Sequence, residues 1–287
     1  MIKEVAPGVY AETDIRGCNP GFVVTSDGVV VIDTPQLPTA AIRMKKKALG
    51  HGPIRYLINT EHHVDHIFGN YYFSGHGTVI AHKYVRDNFM RVYPQINPYQ
   101  YAKEAIPTDD PEGQILFPDE HTYAAAMNEP TITIEGDTTL YVGGTEFRLI
   151  CTPGHTPGQV SVYIPERKTV FVADNIFNGV QTWHYTSNIG QWIESLYLLK
   201  KLNADIIVPG HGPICGNNQI DAQISILYEW QYYVAKCIAK GMTQENCVKE
   251  NKIRDRFPVD IGQEYMLDHV MENNIRVLYE KMAAHAH

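Results

Sequence analysis

The sequence has no long uninterrupted apolar run and no cysteine pair with the spacing of a metal or disulfide motif. A membrane-spanning helix needs about 18 consecutive apolar residues, so we expect no membrane partner. The five cysteines are odd in number and scattered, which argues against a disulfide framework and against a thiolate zinc site. The amino terminus carries no apolar leader segment. These absences predict a cytoplasmic protein.

The sequence also has little clustered positive charge. Its formal net charge is -8, and the densest basic run is the short segment 45–47. Domains that bind nucleic acid carry Lys and Arg clustered on one face, so we expect no nucleic-acid partner. The composition, with 44% hydrophobic and 20% charged residues, is that of a globular protein. A small-molecule substrate is the remaining expectation.

Hydrophobic patterning divides the chain into strands and helices of an α/β protein. Residues 1–34 alternate like paired strands, 38–49 have helical spacing, and 54–59 form a β-rich run. Further strands are predicted near 131–134, 138–142, 146–151, 159–164, 169–173 and 205–208, a helix near 190–202, and later helices at 217–240, 243–251 and 261–284. We therefore predict a domain over 1–215 and a helical C-terminal extension over 216–287, packed on the same domain.

An aromatic insert separates the two strand-rich halves. It spans about 82–130 and is rich in the residues Tyr84, Phe89, Tyr93, Tyr99, Tyr101, Phe117 and Tyr123. Long, weakly regular connections in compact domains are usually functional. The aromatic side chains could build a satellite core or line an apolar pocket, and we favour the pocket.

Side chains of metal-ligand type follow β-rich runs at four places. The first is the cluster Glu61-His62-His63-Val64-Asp65-His66, and the others are His155, Asp174 and His211. Imidazole and carboxylate are the usual ligands of a catalytic zinc, and loops that follow strands often carry chemistry. The pattern predicts a metal site.

The register of the cluster leaves one ligand open. Side chains at alternate positions of an extended segment face the same way, which favours Glu61 with His63 and Asp65. The neighbouring His62 is the alternative ligand in a shifted register.

The cluster resembles the H-x-H-x-D-H signature of the metallo-β-lactamase superfamily, with Glu61 in place of the first histidine. Gly154-His155, Ala173-Asp174 and Pro209-Gly210-His211-Gly212 resemble the later motifs of that family, in order. Asp33 matches a position where the family carries a structural aspartate. The resemblance covers about residues 5–215 and implies a four-layer αββα sandwich.

The resemblance also implies a dinuclear site. One metal would be bound by Glu61, His63 and His155 and the other by Asp65, His66 and His211, with Asp174 bridging both. The two divalent ions are expected to be zinc, and the oxygen-rich first site makes manganese or iron the alternatives. Asp65 is expected to handle the proton of the nucleophile, and His184 or Tyr185 to protonate the leaving group.

A bridging Asp174 resembles the lactonase, thioesterase and phosphodiesterase branches of the family. We therefore expect an ester, lactone or related acyl hydrolase that attacks a small, partly apolar substrate with a metal-bound hydroxide. The alternatives are a β-lactam or amide hydrolase with Glu at the first ligand position, a hydrolytic dehalogenase or sulfatase, and a diiron redox protein. The C-terminal helices could cover the site or form a homodimer.

Overall fold

The computed structural model describes residues 1–91, 97–251, 253 and 257–284. The first of its two sheets has seven strands in chain order: β1 (Lys3–Ala6), β2 (Val9–Ala11), β3 (Gly21–Thr25), β4 (Gly28–Ile32), β5 (Ile54–Asn59), β6 (Thr78–His82) and β7 (Ile132–Ile134). Pairing is antiparallel from β1 to β4 and parallel from β4 to β7. The C-terminal ends of β4, β5 and β6 therefore meet at one edge.

The second sheet has five strands: β8 (Thr138–Val142), β9 (Thr145–Cys151), β10 (Val160–Ile164), β11 (Thr169–Phe177) and β12 (Ile206–His211). Its order is β12-β11-β10-β9-β8, and only the β11–β12 pair is parallel. That parallel pair brings the ends of β11 and β12 together.

The helices that the described residues form are α1 (Pro38–Leu49), α2 (Val64–Ile67), α3 (Lys83–Asp87), α4 (Pro98–Asp109), α5 (Glu120–Ala125), α6 (Ile189–Lys201), α7 (Asn218–Ala239), α8 (Gln244–Lys249) and α9 (Leu267–Ala284). Helix α1 begins with Pro38, whose ring suits the first helical position. Its last turn contains Lys46 and Lys47, whose positive charges interact favourably with the negative C-terminal end of the helix dipole. None of the described helices combines the length and apolarity that a membrane crossing requires.

Three hydrophobic clusters hold the layers of the fold together. Between the sheets, Val30 and Ile58 share one hydrophobic cluster with Val162 and Phe171. On the outer face of the first sheet, residues of α1 such as Met44 pack on β3, β4 and β5. On the outer face of the second sheet, residues of α6, α7 and α9 share a cluster with β11 and β12. The result is the predicted αββα sandwich with C-terminal helices.

Several predicted boundaries were wrong, and two strands are longer than predicted because polar residues lie inside them. The strand predicted to end at 173 continues to Phe177, and all nine of its residues are buried. Ala173 has a positive φ of 47°, and the pairing of β11 with β12 changes register there. The strand predicted to end at 208 likewise continues to His211. The last helix begins at Leu267 rather than at 261.

The helices after residue 217 share one hydrophobic cluster with α6. That cluster contains both Trp192 and Trp230. Full burial of such a large side chain stabilises the fold by roughly 2–3 kcal/mol. The domain boundary near residue 215 stays a prediction.

Candidate metal centre

The polar cluster follows β5 directly. The segment 60–63 is not helical, and α2 begins at Val64 with His63 as its N-terminal cap residue. Asp174 lies within β11, His211 ends β12, and His155 lies in the loop between β9 and β10. Four separate stretches of chain thus contribute to one cluster of polar side chains.

Asp33 fixes the start of this cluster. Its carboxylate accepts hydrogen bonds from the backbone N–H of Thr60 at 2.8 Å and from the Thr60 hydroxyl at 2.5 Å. The same carboxylate lies 2.9 Å from Nδ1 of His66. Asp33 is buried, so these bonds are shielded from water. The arrangement holds the Thr60 backbone and the His66 ring in one orientation.

Two glycines allow the ligand segments to approach closely. A Cβ on Gly210 would lie 1.9 Å from Oδ1 of Asp174. A Cβ on Gly154 would lie 2.2 Å from Cα of Trp192, and its φ of 153° is one that residues with a side chain rarely adopt. Glycine at these positions is what lets Asp174 and His155 reach the centre.

The first ligand group contains Glu61, His63, His155 and Asp174, and one ligand atom of each lies within 4.8 Å of the others. Nδ1 of His63 lies 2.6 Å from a Glu61 oxygen and 3.2 Å from Nε2 of His155. Nε2 of His155 is 3.3 Å from Oδ2 of Asp174. The structure therefore brings together the residues expected to bind the first metal.

The second group contains Asp65, His66 and His211, again within 4.8 Å. Nε2 of His211 lies 3.4 Å from Oδ2 of Asp65 and 3.3 Å from Oδ2 of Asp174. Nε2 of His66 lies 3.2 Å from Oδ1 of Asp174. Asp174 thus contacts histidines of both groups, which is the position that a bridging ligand needs.

His62 belongs to neither ligand group, although its ring centroid lies 4.7 Å from that of His63. Its ring packs edge-on against Tyr84 with 5.4 Å between ring centroids, and neither ring nitrogen makes a hydrogen bond within the described part of the chain. Burial lowers the pKa of His62 well below its usual value. The alternation of the extended segment puts Glu61, not His62, on the side of the ligands.

Cys18 and Asp33 also lie near His66. However, Nδ1 of His66 already contacts Asp33, and Sγ of Cys18 donates to the backbone carbonyl of Asp65. Burial raises the pKa of Cys18, so the sulfur keeps its proton. We assign this cysteine to packing and hydrogen bonding rather than to metal binding.

The donor set fits divalent cations. Glu61 is 0% exposed and Asp174 is 3% exposed, and among the described residues no Lys or Arg forms an ion pair with either carboxylate. Burying a carboxylate is costly unless a positive charge or a metal compensates it. Two divalent ions between these residues would provide that compensation.

The pKa values of the ligands reflect both burial and neighbouring charges, and the charges outweigh burial at His63, His66 and His211, whose pKa values are raised. Burial raises the pKa of Glu61. Burial acts in the same direction on Asp174, but His211 and His66 outweigh it and hold the pKa of that carboxyl well below its usual range. Burial lowers the pKa of His155, so this imidazole is neutral, as a metal ligand must be.

An open cavity of about 550 Å³ leads to the ligands. The candidate ligands His63, Asp65, Asp174 and His211 line it, and the other lining residues come from three parts of the chain. They include Tyr101 and Glu104 of the insert, Trp183 and Tyr185 after β11, and Tyr265, Met266 and His269 of the C-terminal extension. The cavity is large enough for a small organic substrate.

The structure does not bring His184 to this cavity. His184 is fully buried, its ring packs against Trp192 and Trp230, and its backbone N–H donates to Asn274. Burial lowers its pKa to about 3. His184 therefore does not lie where a proton donor to the substrate is needed, whereas the alternative, Tyr185, lines the cavity.

The aromatic insert divides between the two expected roles. Tyr101 lines the cavity, whereas Tyr99 and Tyr123 are buried in a satellite cluster with Phe68. Tyr93 lies outside the described residues.

The sequence left open whether the C-terminal extension covers the site, and it did not identify the residues of the extension that lie there. Tyr265, Met266 and His269 line the cavity, and Asp260 contacts His211. The only sequence signal was Asp260, a polar residue directly before the last predicted helix, and such residues are usually exposed.

The sequence and the fold have counterparts among known proteins. The family model described as "Metallo-beta-lactamase superfamily" matches residues 13–211. A linear primary-alkylsulfatase from a Pseudomonas species is 22% identical over 261 residues, which are 81% of this chain and 49% of that protein. A hydroxyacylglutathione hydrolase from Francisella tularensis subsp. novicida is 30% identical over 152 residues, which are 48% of this chain and 59% of that protein.

A solved structure extends the match to the helical extension. The stereoselective inverting sec-alkylsulfatase from Pseudomonas sp. has a TM-score of 0.69 and 18% identity, and the match covers 98% of this chain and 50% of that one. At this identity the likeness shows the fold alone. The chain spans about half the length of the curated relatives that it matches.

Proposed function

Because the chain belongs to the metallo-beta-lactamase superfamily, we propose that it is a dinuclear metal-dependent hydrolase of an ester, lactone or related acyl bond. The observation that carries this proposal is the position of Asp174. Its carboxylate lies 3.2–3.3 Å from imidazole nitrogens of His66, His155 and His211, which belong to both ligand groups. A carboxylate in that position supports two metals side by side.

The two ions would supply an activated water and would stabilise negative charge that develops on the substrate. Glu61, His63 and His155 would hold one ion and Asp65, His66 and His211 the other, with Asp174 shared. Zinc is the metal we propose, with manganese or iron as alternatives because carboxylates are three of the seven ligands.

Asp65 is the ligand best placed to handle a proton. Its side chain is 15% exposed, whereas those of Glu61 and Asp174 are 0% and 5% exposed. Asp65 also lines the cavity. Its Oδ2 can therefore accept the proton of the attacking water at the point where substrate and ligands meet.

Tyr185 is the residue that we assign to protonate the leaving group. It lines the cavity, and its hydroxyl lies 3.1 Å from Nε2 of His269. Burial raises the pKa of Tyr185, so the phenol holds its proton until a more basic leaving group forms beside it. His269 can then return a proton from the exposed side.

The cavity walls favour a partly apolar substrate. Trp183, Tyr101 and Tyr265 give it aromatic surface, and Met266 adds a flexible apolar contact. Among the described lining residues the formal negative charges belong to Asp65, Glu104 and Asp174, and none is Lys or Arg. A small uncharged ester or lactone fits these walls better than a phosphorylated substrate.

A second candidate is hydrolysis of an alkyl sulfate ester. The match to the sec-alkylsulfatase structure covers 98% of the chain and so includes the C-terminal helices that form one cavity wall. The same ligands would serve, and the walls would bind the alkyl group.

The test is a metal analysis of the purified protein followed by a panel of lactone, aryl ester, thioester, β-lactam and alkyl sulfate substrates. We expect turnover of esters or lactones with two bound ions, and loss of turnover in Asp65→Ala and His155→Ala. The matched control is His121→Ala, since His121 is exposed on α5. Full activity in either ligand variant would overturn the site, and turnover of the sulfate alone would favour the second candidate.

A further inference from the structure

Asp260 lies behind one of the candidate metal ligands. It belongs to the C-terminal extension, 49 residues after His211 and outside the region 13–211 that the family model matches. Its Oδ2 is 2.5 Å from Nδ1 of His211, and its Oδ1 accepts a hydrogen bond from the backbone N–H of Ile261 at 2.7 Å. The carboxylate is buried, with 5% of the residue exposed.

With this contact, both histidines of the second ligand group have a carboxylate beside Nδ1. Nδ1 of His66 contacts Asp33 in the same way that Nδ1 of His211 contacts Asp260. In both histidines Nε2 faces Asp174. By contrast, Nδ1 of His155 in the first group has no hydrogen-bond partner among the described residues.

Several contacts hold the Asp260 segment in place. The backbone N–H of Gln181 donates to the carbonyl of Pro258 at 2.9 Å, and Val259 is buried in the core beside α6 and α7. Arg16 donates to the carbonyl of Gly262 at 2.6 Å. A buried carboxylate fixed from both sides is a costly feature, and its principal side-chain partner is the imidazole of His211.

We propose that Asp260 is a positioning residue for metal binding at His211. The carboxylate accepts a hydrogen bond from Nδ1–H of His211, which leaves the lone pair of Nε2 free for the metal and keeps the ring from rotating. The His211 ring also stacks on Phe177, with 5.0 Å between centroids and an interplanar angle of 5°, so the ring is fixed in both its plane and its rotation. This inference rests on the metal site of the proposed function.

A purely structural role would have a different signature. If Asp260 only attached the extension to the domain, breaking any comparable attachment would affect the metals equally. Arg16 provides that comparison, because it joins Gly262 and Asp109 without contacting a ligand. Asp260→Asn removes the charge behind His211, whereas Arg16→Gln loosens the same segment from the other side.

The experiment is a titration of metal-free protein with Zn²⁺ in competition with a chromophoric chelator, for wild type, Asp260→Asn and Arg16→Gln. Loss of a carboxylate behind a ligating histidine typically weakens metal binding by about 10- to 100-fold. We expect that loss for one of two ions in Asp260→Asn, and binding within about twofold of wild type in Arg16→Gln. The visible spectrum of the Co²⁺-loaded protein should change at one site only in Asp260→Asn.

Wild-type affinity in Asp260→Asn, or an equal loss in both variants, would overturn the proposal. If Asp260→Asn does not fold, NMR of the Zn²⁺-loaded wild type decides: a hydrogen-bonded proton on Nδ1 of His211 supports the proposal, and its absence overturns it. A wild-type protein that binds two ions but hydrolyses no substrate would refute the proposed function and leave this inference intact. A protein that binds no ion would refute both.

Discussion

At the scale of single residues, the difference between Glu61 and His62 follows from the direction of two adjacent side chains. Glu61 contacts His63 at 2.6 Å inside the ligand group, whereas the His62 ring lies against Tyr84. The alternation of an extended chain was enough to predict this. The direction of His184 could not be predicted in the same way, because it lies in an irregular segment where neighbouring side chains follow no period.

His184 carries a prediction about stability and pH. Its pKa is lowered by burial to about 3, against 6.5 for an exposed histidine. Between these values the unfolded chain binds a proton that the folded chain does not, so His184 makes folding less favourable as the pH falls below 6.5. The slope for one such proton is at most about 1.4 kcal/mol per pH unit.

We therefore expect His184→Gln to reduce the loss of stability between pH 6.5 and pH 4.5 by up to that slope. Urea unfolding of the metal-free protein at several pH values measures it. His121→Gln is the control, since the exposed ring should leave the slope unchanged. Parallel pH profiles for wild type and His184→Gln would contradict the prediction.

At the scale of elements, the aromatic insert combines a packed core with a cavity wall. Tyr99 and Tyr101 lie on the same helix, α4, but on different faces. Tyr99 is buried against Phe68 and Phe117, and its hydroxyl donates to the carbonyl of Pro118. Tyr101 faces the cavity. One face of α4 thus packs in the core, and the other face lines the cavity.

This separation predicts different effects for the same substitution. Tyr99→Ala should lower the free energy of unfolding by about 3–5 kcal/mol, as for other large aromatic side chains in a core, with little change in KM. Tyr101→Ala should raise KM with a smaller loss of stability. Denaturant unfolding and steady-state kinetics on the same preparations measure both, and an equal rise of KM in the two variants would refute the assignment.

The order of strands and helices was predictable from hydrophobic periodicity, but their ends near the site were not. Asp174 and Asn175 look like loop residues, yet β11 continues through them to Phe177. Their side chains find partners in other parts of the chain: Nδ2 of Asn175 donates to the Thr152 hydroxyl, and the Asp174 carboxylate contacts His66, His155 and His211. Local sequence does not contain those partners.

At the scale of the whole molecule, the candidate ligands could be selected from the sequence because each follows a predicted β-rich run, and the fold brings these residues close together. The contact between His211 and Asp260 could not be predicted, because the two residues are 49 positions apart in the sequence. The positions of Tyr265 and His269 in the cavity wall could not be predicted for the same reason. Contacts of that range depend on how α7 and α9 pack on α6, which periodicity alone does not specify.

Metal removal should destabilise the entire fold. Without the ions, Glu61 and Asp174 are buried carboxylates that no Lys or Arg of the described chain neutralises. Ions present at 100 times their Kd add about 2.7 kcal/mol to stability, which for a protein of this size raises the Tm by roughly 5–10 °C.

A strong chelator should reverse that rise, and calorimetry with and without the chelator measures it. His155→Ala should respond less, because its first ligand group is incomplete. An identical Tm for chelated and metal-loaded wild type would show that the buried carboxylates need no cation.

The contact between His211 and Asp260 also affects how sequences of this kind can diverge. All seven candidate ligands precede residue 215, but the support of His211 and one wall of the cavity come from the same later stretch of chain. A recombination that replaced this stretch would keep every ligand. It would nevertheless change substrate preference and metal occupancy in a single step, so the two properties would be inherited together.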